Sequence, residues 1–133
     1  MFLLYHTRQI DEDYYDSKVI GIYTTEEKVY SVIEKFKTLP GFSQHIDGFY
    51  VCNFPKVDRY IKRNKYVYLL IGEKAVDETD SNTMFYDLFS NKFNALISLL
   101  SKKCICFKHK YHYTIGRYTV DEDNWQEGFE TFD

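Results

Sequence analysis

The stretch KVIGIYTTEEKVYSVIEKFKTLPG, residues 18–41, decides the fold that this sequence predicts. It opens on a β-branched run at 18–23, which favours a strand. Thr24 and Glu27 then have the T-x-x-E spacing of a helix capping box, and Pro40 with the glycine after it ends the helix. The apolar residues in between have the spacing of one buried helix face: Val29, Val32, Ile33 and Phe36. The stretch therefore predicts a strand followed by an amphipathic helix.

More strands and a second long helix are predicted outside this stretch. Residues 2–6 and 48–54 have the apolar patterns of strands, and residues 66–71, apolar on both faces, predict a central strand. Residues 82–103 keep the helical period over about five turns. The apolar residues of that period are Phe85, Leu88, Phe89, Phe93, Leu96, Ile97 and Leu100. Residues 104–115 alternate with period two and predict a strand or a hairpin, and residues 118–120 end the predicted sheet.

Both apolar helix faces need a sheet that buries them. We therefore expect an α+β fold in which a mainly antiparallel sheet of five or six strands carries two long helices packed on one face. A chain of 133 residues suits one domain, so we expect a single α+β domain over residues 1–133.

A weak internal repeat relates residues 68–78 to residues 2–12. The identical pairs are Leu3/Leu69, Leu4/Leu70, Asp11/Asp77 and Glu12/Glu78. The segments that follow differ, because the first is β-branched and the second has the helical period. The fold prediction therefore does not rely on a duplication.

Composition narrows the class of protein. The net charge is −3, which does not favour a nucleic-acid partner. No apolar run approaches about 18 residues, so we expect no membrane span. The first residues lack the pattern of a signal peptide, and three cysteines cannot all pair within the chain. We therefore expect a reduced, cytoplasmic protein.

Five short motifs in this chain occur together in one family. They are His6-Thr7, KVIGIYTTEE at 18–27, LPGF at 39–42, DGF at 47–49 and YTVDEDNWQEGF at 118–129. In this order they resemble a small bacterial domain family without an established function, whose members are about half as long as this chain. Those members read HT, an acidic loop, KLIGIYS, a helix, LPGF, GF, a strand and DxDxWxEGF.

The resemblance implies that the two ends of the chain form the family frame. It also implies that residues 55–116 are an insertion that the short members lack, containing a short helix after Pro55, the strand at 66–71 and the long helix. Small domains of this kind occur among bacterial toxin-immunity and defence proteins, and the resemblance implies a function of that type.

Candidate catalytic and metal-binding residues are few. Cys104, Cys106 and His112 share a face of the predicted strand and Cys52 could lie across the sheet, but zinc needs about four converging ligands, and reduced thiols are the alternative. His6 beside the acidic loop could act as a general base, yet no nucleophile motif or phosphate-binding glycine loop accompanies it. We therefore expect a protein that is not an enzyme and that holds no metal or cofactor.

Two groups of basic residues leave a nucleic-acid surface as the alternative. The first group is Lys56, Arg59, Lys62, Arg63 and Lys65, interleaved with Tyr60 and Tyr66. The second group is Lys102, Lys103, Lys108, Lys110 and Arg117. Basic side chains neutralise phosphates and aromatic rings stack on unpaired bases. His109 or His112 would be the acid or base if such a protein cleaved its target.

Acidic residues beside large aromatic rings form the predicted partner-binding surface. The rings would be buried anchors, while the charges would steer a basic protein towards them. The residues are Asp11, Glu12, Asp13, Asp16, Asp121, Glu122, Asp123, Trp125, Glu127 and Phe129. Trp125 has a second interpretation, in which it docks onto the sheet as a structural residue.

Together these patterns predict a non-enzymatic bacterial protein-binding module. The most specific form of the hypothesis is an immunity or antitoxin-type inhibitor that occludes a basic, nuclease-like toxin through the acidic and aromatic surface. The alternative is a small nucleic-acid-binding or nucleolytic protein that uses the basic clusters at 56–65 and 102–117. A structural accessory protein of a phage or mobile element also fits the sequence.

Overall fold

The computed structural model describes residues 1–10, 12, 15–55, 65–75, 81–105 and 111–129. Two 3-10 turns, Phe42–Gln44 and Ile46–Gly48, join the first helix to the third strand. In chain order the longer elements are β1 (Phe2–Gln9), β2 (Tyr15–Tyr23), α1 (Glu26–Phe36), β3 (Phe49–Asn53), β4 (Tyr66–Ala75), β5 (Ser81–Phe89), α2 (Lys92–Ile105) and β6 (Tyr111–Thr119).

The α+β class is confirmed, but the strands of the described residues form two sheets instead of one. The first has the order β2-β1-β3 and the second β5-β4-β6, and the described pairings are antiparallel. The predicted single sheet of five or six strands is therefore not what the structure contains. The strand predicted at 66–71 is indeed central, since β4 lies between β5 and β6.

The two sheets are built from two copies of the same arrangement. Each half of the chain runs strand, strand, helix, strand, and the first strand takes the centre of its sheet. Both hairpins have a register shift at the matching place, between Leu4 and Tyr5 and between Leu70 and Ile71. These places are 66 residues apart, the same separation as in the weak sequence repeat, which therefore corresponds to a structural repeat.

The two sheets share a hydrophobic core, and each is covered on its other face by its own helix. The shared core contains Leu3 and Ile22 from the first sheet and Leu69 and Leu88 from the second, all buried. The outer face of the first sheet packs with α1 in a second cluster, and α2 packs on β4, β5 and β6. The prediction of two helices on one face is therefore wrong, because α1 and α2 pack on different sheets. The apolar stripe of α1 packs on the first sheet, whereas Phe93, Ile97 and Leu100 of the stripe predicted for α2 are exposed.

The helix predicted over 82–103 is wrong in its first part, which is the strand β5. The register shift explains the error, because an extra residue in a strand moves the inward side chains from two to three positions apart. Phe85 and Leu88 both face the shared core, as Val19 and Ile22 do in β2. Side chains three apart have the spacing of a helix, so the bulged strand resembled one.

The strand predicted at 104–115 is also displaced. Helix α2 runs to Ile105, so Cys104 lies on a helix and does not share a strand face with His112. Strand β6 begins at Tyr111, and residues 106–110 lie outside the described residues. The short helix predicted after Pro55 also falls on undescribed residues, 56–64.

Helix α1 begins one residue later than the capping box predicts. Thr25 is the N-cap, and its hydroxyl accepts a hydrogen bond from the Lys28 backbone N–H at 3.3 Å. Val29 and Phe36 of the predicted stripe are fully buried. Neither helix in the described part of the chain is long and apolar enough to cross a membrane.

Candidate protein-binding surface

The motifs that carry the family resemblance meet around one buried side chain, His6. Its ring lies edge-on to Phe42 and Phe49, each with a centroid separation of 4.9 Å, and 5.9 Å from Phe129. Its Nε2 lies 2.8 Å from the His45 carbonyl oxygen. The HT, LPGF, DGF and W-x-E-G-F motifs therefore describe one interlocked aromatic cluster.

Glycines let the LPGF and W-x-E-G-F motifs fit together. Gly41 and Gly128 have φ angles of 81° and 79°, in the left-handed region that favours glycine. A Cβ on Gly41 would collide with the Phe129 backbone, and a Cβ on Gly128 would collide with the Pro40 carbonyl. Across this contact the Phe129 N–H donates to the Pro40 carbonyl oxygen at 2.9 Å.

Residues 120–129, which we call the clasp, follow β6 and fold back over the first half of the molecule. The Asp121 N–H donates to the Ile22 carbonyl at 2.8 Å, and the Asn124 N–H donates to the Ile20 carbonyl at 2.7 Å. Both donors lie at the C-terminal end of the second half, so this end is bonded to β2 of the first half. The clasp, which belongs to the acidic tail predicted as a partner surface, is therefore largely an integral part of the fold.

Asp121 ties the clasp to the start of α1. Its side chain is 4% exposed and accepts hydrogen bonds from the Thr24 N–H at 3.0 Å and from Lys28 Nζ at 2.8 Å. Burial alone would raise the pKa of this carboxyl, but the bonds from Lys28 and Thr24 outweigh it and hold the pKa below its ordinary value. This carboxylate is not free to contact a partner.

Asp123 also ties the clasp to the first half of the molecule. It accepts a hydrogen bond from the Tyr23 hydroxyl at 2.6 Å and lies 3.4 Å from Lys35 Nζ. Burial, followed by the hydrogen bond to Asp123, raises the pKa of Tyr23 far above its ordinary value, so the phenol stays protonated and donates.

The predicted acidic loop is only partly described. Asp11 and Asp13 lie outside the described residues, and Glu12 is exposed. Asp16 pairs with Lys18 and with Arg8, at 3.4 Å in the second case. Its charge is therefore balanced locally.

Three of the predicted partner residues in the clasp remain at the surface. Glu122 and Glu127 are exposed, and Trp125 is 46% exposed. Trp125 has a φ of 62°, a left-handed conformation that is rare for a bulky residue. Phe129, by contrast, packs into the aromatic cluster, where it meets the ring of Phe42 edge-on at 4.8 Å.

Lys18 is a site residue that the sequence did not single out. It is 9% exposed, and its Nζ lies 4.2 Å from the ring centre of Phe129 and 5.3 Å from that of Trp125. The sequence did offer a signal for the burial of Lys18. It stands two positions before the apolar Ile20 in a predicted strand, so the two side chains share a face. Lys18 therefore makes cation–π contacts with both Phe129 and Trp125.

Trp125 also lines a cleft between the two halves. This cleft has a volume of about 330 Å³. Its walls combine residues of β2 and the clasp with residues of the second sheet: Ser17, Lys18, Val19, Ile71, Glu73, Thr83, Phe85, Tyr118, Asn124 and Trp125. Trp125 therefore lines a surface cleft to which both halves of the molecule contribute residues.

Within the described residues, the catalytic and metal candidates are not assembled into a site. His6 is buried among aromatic rings, and burial lowers the pKa of its imidazole below the ordinary value. Among the described residues, its Nδ1 has no hydrogen-bond partner. No group of three or more His, Cys, Asp or Glu side chains in those residues is placed to hold a metal ion.

Most of the basic residues of the alternative hypothesis lie outside the described residues, at 56–64 and 106–110. Of the rest, Lys65 is exposed, and the Arg117 guanidinium lies 4.4 Å from the ring centre of Tyr66. The nucleic-acid surface stays a prediction.

Comparisons with protein-family models, with curated proteins and with solved structures gave no match. The family resemblance therefore stays a prediction that rests on the motifs themselves, and the function has to be argued from the surface.

Proposed function

We propose that this chain is a non-enzymatic protein-binding module whose contact residue is Trp125, flanked by Glu122 and Glu127. The exposed, left-handed Trp125 carries the proposal. A left-handed backbone costs an ordinary residue roughly 1–2 kcal/mol, and such strain is retained where surrounding structure enforces it.

The surroundings of Trp125 support a contact role. The residues on both sides of it are fastened to the first half, through Asp121, Asp123, Asn124 and Phe129. A half-exposed tryptophan on a rigid support loses little conformational entropy when it binds, and tryptophan is among the residues that most often dominate protein interfaces.

The charge around Trp125 favours a basic partner. Glu122 and Glu127 are exposed, whereas the lysines nearest the clasp are paired with Asp121, Asp123 and Asp16. The immunity or antitoxin-type inhibitor of a basic toxin, acting in the cytoplasm of a bacterium, is the specific form of this proposal.

The test compares Trp125→Ala with the wild-type chain. Partners captured from extract of the native organism are identified by mass spectrometry, purified and titrated calorimetrically. We expect a protein with an excess of Lys and Arg, at least about a tenfold loss of affinity in Trp125→Ala, and an unchanged unfolding midpoint.

Tyr30→Ala is the matched control, because Tyr30 is an aromatic residue that is 56% exposed on α1. It should bind as the wild type does. Equal affinity of Trp125→Ala and wild type, or a partner without excess positive charge, would contradict the proposal. A large drop in the stability of Trp125→Ala would instead favour the structural interpretation of this residue.

A further inference from the structure

A second surface, on the outer side of α2, is apolar and uncovered within the described residues. Phe93, Ile97 and Leu100 are 68%, 52% and 61% exposed, and Leu96 is 39% exposed. They recur at i, i+4 and i+7 with Leu96 beside them, so they form one stripe along the helix. A contiguous exposed patch of large apolar side chains marks an interaction site more often than scattered ones do.

The repeated architecture supplies an internal comparison. Helix α1 begins at Glu26 and α2 at Lys92, so residues 66 positions apart occupy equivalent places. The places of Phe93, Ile97 and Leu100 are taken in α1 by Glu27, Ser31 and Glu34, all exposed. The same scaffold position is therefore polar in one half and apolar in the other, so the fold itself does not require the stripe.

A groove beside the stripe shows what kind of partner fits. It has a volume of about 390 Å³ and is lined by Tyr68, Lys92, Leu96, Leu99, Ile115 and Arg117. Two cations therefore stand at an otherwise apolar or aromatic groove. Neither α2 nor β6 contains an aspartate or glutamate, while α2 contains three lysines.

We propose that the α2 stripe and its groove bind an acidic polypeptide segment with apolar anchor residues. Its anchors would cover Phe93, Ile97 and Leu100, and its carboxylates would pair with Lys92 and Arg117. A second copy of this chain is the poorer occupant, because two α2 helices face to face would bring lysines together. A membrane surface is also poorer, because it makes no use of a groove. This surface lies on a different face from Trp125 and is independent of the function proposed for it.

The test selects binders from a random library of roughly 16-residue peptides, a length that spans the stripe. Enriched peptides are then measured by fluorescence anisotropy against three folded proteins. One is the wild type. The first variant, Phe93→Gln/Ile97→Ser/Leu100→Gln, makes the stripe polar without adding charge. The second variant, Lys92→Gln/Arg117→Gln, removes the two cations of the groove. Trp125 fluorescence confirms that each variant is folded.

We expect peptides with acidic and apolar residues, at least about a tenfold loss of affinity in the first variant, and a weaker salt dependence with lower affinity in the second. The proposal is overturned if no peptide is enriched, if the peptides lack acidic residues, or if they bind the first variant equally well. Two further results would also overturn the proposal. One is that the wild type forms dimers, detected by light scattering, which the first variant does not form. The other is that the wild type binds phosphatidylserine vesicles, which the first variant does not bind.

Discussion

His6 shows at the scale of one residue why the short motifs of this sequence are spaced as they are. Its ring is enclosed by Phe42, Phe49 and Phe129, and the absence of a side chain at Gly48 makes room for it. One ring nitrogen is bonded to the His45 carbonyl, and the other has no partner in the described residues. Burial therefore favours the neutral imidazole over the charged form.

This predicts acid sensitivity that depends on His6. Because the pKa of His6 is lowered in the folded chain, the unfolded chain binds a proton first as the pH falls through 6.5. The free energy of unfolding should therefore decrease steadily below that pH, until the lowered pKa of the folded state is reached. Urea unfolding at a series of pH values measures it.

The control separates His6 from the other histidines. His6→Gln can still donate to the His45 carbonyl but has no proton to gain, so its stability should depend less on pH between 7.5 and 5.5. His112→Gln, at an exposed position, should keep the wild-type dependence. An unchanged slope in His6→Gln would show that burial of this imidazole is not the cause.

Asp121 belongs to the scale of the elements, because it joins the clasp to α1. It lies at the N-terminal end of that helix, where unpaired backbone N–H groups and the helix dipole favour a negative charge. The same carboxylate pairs with Lys28 one turn into the helix. The start of α1 is therefore stabilised by a residue nearly a hundred positions away in the chain.

Asp121→Ala should destabilise the protein by about 1–3 kcal/mol, since it leaves the Thr24 N–H without its acceptor and Lys28 without its ion-pair partner. Glu122→Ala, at the neighbouring exposed position, should change stability by less than about 0.5 kcal/mol. Urea unfolding followed by Trp125 fluorescence measures both, because Trp125 is the one tryptophan and lies on the clasp. Equal effects of the two substitutions would show that Asp121 does not anchor the clasp.

The elements that the sequence predicted well are identified by a local pattern. Helix α1 has the helical spacing of apolar residues, and β1 and the central strand β4 are short apolar runs. Strand β5 was missed because a register shift gave Phe85 and Leu88 a helical spacing. The clasp contacts of Asp121 and Asp123 depend on partners far along the chain, which no local pattern reveals.

At the scale of the whole molecule, the misassigned strand also hid the duplication. Once residues 82–89 are seen as a strand, both halves read strand, strand, helix, strand, with the bulge at the same place. Equivalent residues such as Leu3 and Leu69, or Ile22 and Leu88, then meet in one core between the sheets. The molecule is two similar units whose inner faces bury each other, closed by a clasp that runs from the second unit onto the first.

The central claim is that these two units share one core and unfold as one body. The most direct test is Leu69→Ala, a substitution in the second unit at a fully buried core position, read through Trp125 on the clasp, which is bonded to the first unit. We predict a loss of about 2–5 kcal/mol, with fluorescence and far-UV circular dichroism transitions that coincide and shift together. Ile97→Ala, in the same unit but exposed, should shift neither. A fluorescence transition that stays at the wild-type midpoint while the dichroism splits into two steps would contradict the shared core.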